Sequence, residues 1–148
     1  MNLLLRPARN EDADALVAVR RDAIMDLAPE YDLHAVRQWL NSASPNYGID
    51  AIGSCTVFVA ESESGVVGWI GFRTNKIEYV YARPGVGGVG TALMARAEAL
   101  IATAGYEEAL LDASPNAVPF YQHRGYRIVA AANADNSLPM SKALLHAA

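Results

Sequence analysis

Gly85, Gly87, Gly88 and Gly90 put four glycines within six positions, in the run Arg83-Pro84-Gly85-Val86-Gly87-Gly88-Val89-Gly90. Upstream, Ile77-Glu78-Tyr79-Val80-Tyr81-Ala82 has the β-branched and aromatic content of a strand. Downstream, Val89, Leu93, Ala97, Leu100 and Ala104 recur at helical spacing, and Gly105 is placed to end that helix in a left-handed cap. A strand, a glycine loop and a helix N-terminus in that order form a built-in anion trap. Glycine lets the backbone come close to a ligand, and the first-turn amides, helped by the helix dipole, attract phosphate oxygens. No Lys-Ser or Lys-Thr follows the last glycine, so this is not a nucleotide P-loop. A dinucleotide fingerprint fails as well, because it needs a parallel βαβ unit and the strands before this loop read as a meander. A glycine-rich turn that holds no ligand is the plain alternative.

The remaining pattern sets the order of elements. Residues 3–6 open a strand that Pro7 ends, because proline cannot donate to a ladder. Asn10 is a candidate cap for a helix with Glu11 and Asp12 in its first turn and an apolar stripe of Ala13, Leu16, Val17, Ala23 and Ile24, closed near Pro29. Residues 33–40 carry a second short helix, and residues 41–54, rich in Ser, Asn, Pro and Gly, read as the longest loop. Residues 56–60 and 66–72 form a hairpin, 77–82 a third meander strand, 109–112 another buried strand and 118–124 a short helix ended by Gly125. Residues 126–129 and 138–145 complete the sheet. The expected order is β-α-α-β-β-β-α-β-α-β-β, without repeats or an internal linker.

Composition narrows what this architecture can serve. A chain of 148 residues, 52% hydrophobic and 19% charged, is the size of one domain spanning residues 1–148 with ample core material. It should fold alone or as a homodimer. The net charge of −4, with signs interleaved, gives no reason to expect nucleic acid or an anionic membrane as partner. No apolar run approaches the roughly 18 residues of a membrane span, and the N-terminal run is too short for a signal peptide. The lone Cys55 forms no internal disulfide, no Cys/His spacing suggests a metal, and a reducing cytoplasm is the expected setting.

With these elements in place the chain resembles the GNAT superfamily of N-acetyltransferases. That family's cofactor signature is a strand followed by [Arg/Gln]-x-x-Gly-x-[Gly/Ala] at a helix start, and Gly88-Val89-Gly90-Thr91-Ala92-Leu93 matches its second half. A second family pattern, a strand, an Asn-bearing turn and a Phe-Tyr-x-x-x-Gly helix, is matched by residues 111–126, including Asn116, Phe120, Tyr121 and Gly125. Residues 139–144 look like the family's last strand, so the resemblance covers essentially the whole chain. It implies an α+β fold: a mixed, mostly antiparallel central sheet of six to seven strands flanked by about four helices. It further implies that the strands at residues 77–82 and 109–112 splay to admit the pantetheine arm of acetyl-CoA. The chain departs from the signature where Gly85 stands in place of the Arg or Gln, and residues 84–90 are about two residues shorter than the usual loop. Arg83 could supply the missing charged contact.

The resemblance also assigns roles. The amides of Val86, Gly87, Gly88, Val89 and Gly90, with Thr91 in the first turn, would hold the pyrophosphate. Backbone groups of Tyr79, Val80, Tyr81 and Ala82 would pair with the pantetheine arm and polarise the thioester, and Asn116 would bond the same arm. Tyr121 would protonate the departing CoA thiolate, unless it is a packing aromatic beside Phe120. The amine acceptor has a pKa of about 10.4 when free and must lose a proton, so a base is needed. Glu78, a carboxylate in an otherwise apolar strand, is the candidate, the alternative being an ion pair with Lys76 or Arg73 or a side chain that simply faces water. His34, His123 and His146 are weaker candidates. The family's acceptor wall falls on residues 29–55, where Tyr31, Trp39, Tyr47 and Asp50 are candidate contacts with a small-molecule or protein amine. A non-catalytic acyl-CoA-binding or partner-binding domain is the alternative function.

Overall fold

The computed structural model describes residues 2–27 and 31–144. Pro29, Leu145 and His146, each named above, lie outside the described residues. A seven-stranded sheet has the order β1-β2-β3-β4-β5-β7-β6. Its strands are β1 (Leu4–Pro7), β2 (Thr56–Ser62), β3 (Gly65–Arg73), β4 (Lys76–Ala82), β5 (Glu108–Ala113), β6 (Arg127–Ile128) and β7 (Leu138–Ala143). Five α-helices occur among the described residues: α1 (Ala13–Met25), α2 (Leu33–Asn41), α3 (Tyr47–Ser54), α4 (Val89–Thr103) and α5 (Val118–His123). The sheet is mostly antiparallel, and β4 and β5 pair in parallel, with Lys76 opposite Leu110 and Ile77 opposite Leu111. The fold class expected from sequence is the one observed.

Three local features differ from the sequence reading. Residues 41–54 hold α3 in place of a continuous loop. Its buried face is built from Gly48 and Ala51, small residues that carry little hydrophobic signal. They are small for a reason: a Cβ on Gly48 would lie 2.3 Å from the carbonyl oxygen of Ala13, so only glycine lets α3 cross α1 at that distance. In α1 the expected stripe holds at Leu16 and Ile24 and fails at Val17. Val17 is exposed, while Leu16, Val19, Arg20 and Ile24 are buried. Asn10 begins a 3₁₀ turn, and the capping carboxylate belongs to Asp12, which accepts from the Arg9 N–H at 2.7 Å. Two helix ends form as the glycines predicted. Gly105 has φ +103°, and its N–H and that of Tyr106 bond back to Ala102 and Ile101 in a Schellman closure. Gly125, φ +94°, closes α5 the same way, with its N–H to Gln122 and the Tyr126 N–H to Tyr121.

The chain forms two compact units, residues 1–71 with 79–94, and residues 72–78 with 95–148. In the first, Leu16, Val19, Ala51, Val57, Val59 and Trp69 form a core cluster. Trp69 is fully buried, and its indole N–H donates to the Leu16 carbonyl at 3.0 Å, so the tryptophan's one polar atom is satisfied inside the core. Arg20 is buried too: its guanidinium donates to the Trp39 carbonyl at 3.0 Å and lies 4.8 Å from the Tyr47 ring centroid. In the second unit, Ile77, Ala97, Ile101, Leu111 and Met140 are buried apolar residues. The carboxylate of Glu98, also buried, accepts from the Tyr126 hydroxyl at 2.9 Å and from Lys142 at 2.8 Å, with Arg124 3.5 Å away. Such a charge is tolerated inside because it is both paired and hydrogen-bonded.

A second ion pair ties the N-terminal strand into the first unit. Arg6 of β1 grips Asp12 through two bonds of 2.8 and 2.9 Å and reaches Glu61 of β2 at 3.0 Å. The bonds from Arg6 hold the Asp12 carboxyl below its ordinary value. A lowered folded pKa contributes stability that is complete above about pH 4, where the unfolded carboxyl ionises, and is lost as pH falls through the folded value. Asp12→Asn should therefore cost roughly 2 kcal/mol at neutral pH. Its melting temperature should also fall less steeply on acidification than that of the parent. Calorimetric melts from pH 7 down through the carboxylate range measure both, and parallel slopes would contradict the assignment.

Candidate active site

In the first unit, β4 ends at Ala82 and α4 starts at Val89, so six residues make the turn. Gly85 and Gly88 both have φ +80°, the left-handed region that glycine enters without strain. At Gly85, Gly87 and Gly88 an added Cβ would meet nothing within 4 Å, so the loop presents bare backbone to open space. The Ala92 N–H bonds to the Gly88 carbonyl at 3.1 Å, which makes Gly88 the cap residue and leaves the Val89, Gly90 and Thr91 amides without partners inside the helix. No carboxylate occupies the first turn of α4. The positive end of the helix dipole is thus not neutralised by its own side chains. An anion approaching this turn meets amides, a dipole and no steric obstacle, and a pyrophosphate fits that environment.

Arg83, expected as a substitute phosphate contact, is engaged elsewhere. Its backbone N–H donates to the Val67 carbonyl at 2.8 Å, its Nε to the Val66 carbonyl at 3.1 Å, and one Nη is paired with Asp22 of α1. Asp22 gave no sequence signal, since an acidic residue among charged neighbours on an amphipathic helix reads as a solvated position. Tyr79, Val80, Tyr81 and Ala82 are half-buried along β4. The rings of Tyr79 and Tyr81 lie 5.3 and 5.6 Å from that of Trp69, and strand alternation sends Val80 and Ala82 to the other face. Tyr47 of α3 completes this group, 6.1 Å from Trp69 and 5.6 Å from Tyr79. Burial and the Tyr81 hydroxyl push its phenol well above the usual range, so it stays neutral. Of the other candidate acceptor contacts, Trp39 and Tyr31 are half-buried, and Asp50 is exposed and accepts from the Ser44 hydroxyl at 3.3 Å. His34 is exposed at the start of α2.

The second unit carries the remaining candidates. Glu78 is exposed on β4 with its carboxylate 3.6 Å from Arg73, the ion pair weighed above as the alternative to a base. Asn116 is exposed in the 3₁₀ turn Pro115–Ala117 that follows β5, and His123 is exposed at the end of α5. Tyr121, half-buried, sits in α5, and the Schellman closure at Gly125 brings Tyr126 back against it, ring centroids 5.8 Å apart at 69°. Tyr126 is in turn fixed by its bond to Glu98, and burial pushes its phenol up. Tyr121 is therefore held from behind by a ring anchored on a buried carboxylate, a support that its sequence neighbourhood did not reveal. Neither metal clusters nor a helix long and apolar enough to cross a membrane occur among the described residues.

A mostly antiparallel sheet with a glycine loop running into a helix is the architecture that the acyltransferase resemblance implied. The pattern of the acetyltransferase (GNAT) domain matches residues 27–143, and the chain belongs to that family of acetyltransferases. Solved structures agree on the fold. A GCN5-related N-acetyltransferase from Rhodopseudomonas palustris superposes with a TM-score of 0.89 at 24% identity over 97% of each chain. The PaiA N-acetyltransferase of Thermoplasma acidophilum, solved with coenzyme A, gives 0.80 at 19% identity over 97% of this chain and 99% of that one. The N-acetylglutamate synthase of Neisseria gonorrhoeae, solved with coenzyme A and N-acetyl-glutamate, gives 0.72 at 17%, covering 99% of this chain and 36% of that one. No curated protein matches this sequence.

The φ values at the loop give a direct test of its geometry. Gly85→Ala should cost roughly 1–2 kcal/mol because a Cβ is strained at positive φ. Gly87→Ala, with open space and no such φ, should stay within about 0.5 kcal/mol of the parent. Urea unfolding of the two variants separates them, and equal costs would show that the loop does not turn at Gly85.

Proposed function

We propose that the chain transfers an acetyl group from acetyl-CoA directly to a primary amine. The observation that carries this reading is the glycine loop, open at Gly85, Gly87 and Gly88, that runs into first-turn amides of α4 without partners inside the helix, in a chain of the acetyltransferase family. Acetyl-CoA supplies the acyl group as an activated thioester. The loop amides hold its pyrophosphate, and the β4 backbone at Tyr79, Val80, Tyr81 and Ala82 orients its arm and draws electron density from the thioester carbonyl. Asn116, exposed after β5, bonds the same arm. The Tyr121 hydroxyl gives its proton to the leaving sulfur, and Glu78 takes the proton the amine must lose, directly or through water. Tyr31, Trp39, Tyr47 and Asp50 contribute to the acceptor side. The coenzyme complexes of PaiA and of N-acetylglutamate synthase lend support to the choice of donor. The single free thiol of Cys55 suits a reducing cytoplasm.

Calorimetric titration with acetyl-CoA, followed by thiol release over a panel of primary amines, tests the reading. Binding with release supports it. Absence of binding at millimolar donor removes it, and binding without release for any amine would leave an acyl-CoA-binding module. Tyr121→Phe should lower turnover by roughly 10²-fold with CoA affinity within about twofold, since a general acid is worth that much and its ring contacts survive. Glu78→Gln should lower turnover by roughly 10²-fold. Unchanged turnover in either variant would strip that residue of its role.

A further inference from the structure

We propose that Arg83 and Asp22 form a clamp that fixes where the glycine loop starts, and that both are positioning residues for the donor's pyrophosphate; this rests on the acyl-donor reading above. Arg83 is the last residue before Pro84 and the glycines, and three of its donors are committed: the backbone N–H to Val67, Nε to Val66 and one Nη to Asp22. These anchors lie on two different elements, β3 and α1. The guanidinium charge is balanced by the Asp22 carboxylate, so it is spent on structure and not offered to phosphate.

Beyond the clamp, the loop has little of its own to hold it in place. A Cβ added at Gly85, Gly87 or Gly88 would meet nothing within 4 Å, and the family's Arg or Gln is absent at Gly85, where φ +80° disfavours any side chain. Donor binding then falls on an amide array whose aim depends on the position of its first residue. Loss of the clamp lets the loop amides ahead of the packed first turn sample more directions, so they meet the phosphates in fewer of the conformers. Asp22 and Arg83 are each about one-third to two-fifths exposed, 42% and 33% by side chain, so the pair adds little to global stability. Its effect belongs in ligand affinity.

The test uses the full chain with CoA and ADP as probes, the second carrying the pyrophosphate without the pantetheine arm. Calorimetry on Arg83→Ala and Asp22→Ala should show the Kd for CoA raised about fivefold to tenfold in each, the scale of one ordinary hydrogen bond. ADP should weaken by the same factor, the double variant should be no worse than either single one, and Arg83→Lys, which keeps the pairing with Asp22, should recover most of the affinity. Ligand-free melting temperatures should stay close to the parent's. If Asp22→Ala leaves CoA affinity unchanged or tightens it while Arg83→Ala weakens it, Arg83 is a direct phosphate ligand and the clamp is wrong. A large fall in ligand-free melting temperature without rescue by Arg83→Lys would make the pair structural and also overturn it. If the parent binds Gly-loop ligands normally and both variants match it, only the clamp fails; if the parent binds no CoA, the donor reading fails first and the clamp with it.

Discussion

Gly68 has no room for a methyl group, and the candidate site hangs on that fact. A Cβ there would lie 2.4 Å from Val89 Cγ1, 3.0 Å from the Tyr81 carbonyl oxygen and 3.2 Å from Leu93 Cδ1. The first turn of α4 is thus pressed onto β3, with Val89 and Leu93 fully buried. Because β4 ends at Ala82, the chain has six residues in which to leave the strand, reverse and enter a helix already seated against the sheet. A turn that tight selects glycine at the two positions with positive φ and sets the helix amides at the end of the strand. The amides exposed by the loop and the packing under it have the same cause.

Each unit fixes its polar groups from inside. In the first, Trp69 anchors to the Leu16 carbonyl, and three tyrosines gather around its indole, so the side of β4 bearing Tyr79 and Tyr81 is a packed aromatic surface. In the second, the buried Glu98 carboxylate is shared by Tyr126 and Lys142, and Tyr126 backs the ring of Tyr121. The helix closure at Gly125 thus holds the Tyr121 ring in place from behind, which is what the role proposed for its hydroxyl would require.

What could be read in the sequence follows the physics of each signal. Strands β2, β3 and β4 and helix α4 were legible because they combine alternation or helical spacing with glycines that act at φ > 0; Gly105 and Gly125 ended their helices as read. Helix α3 was not, because its contact with α1 is made by the absence of side chains at Gly48 and Ala51, and absence has no periodicity. The burial of Arg20 was equally hidden, since a cation is placed in a core by partners that only the fold brings together, here the Trp39 carbonyl and the Tyr47 ring. At the site, the loop and Tyr121 were legible as motifs. The pairing of Glu78 with Arg73 was among the alternatives read from sequence, whereas Asp22 behind Arg83 and Tyr126 behind Tyr121 were not, because only the fold brings those residues together.

The glycine at position 85 and the engaged Arg83 describe one arrangement. A longer loop could present a side chain at the signature position with φ < 0; the six-residue turn forces φ +80° there, where an arginine would be strained by about 1–2 kcal/mol. A charge-assisted bond to phosphate is worth roughly 1.5–3 kcal/mol, so the strain would cancel much of what the arginine could contribute. With the cation gone from that position, the charge nearest the loop is Arg83, and it is drawn the other way, toward Asp22. The loop that results offers an anion backbone amides and a helix dipole, with the first turn of α4 packed at Gly68 and Arg83 anchored to β3 and α1. On the function proposed above, donor recognition would be a property of backbone placement, governed by the residues that hold the backbone still.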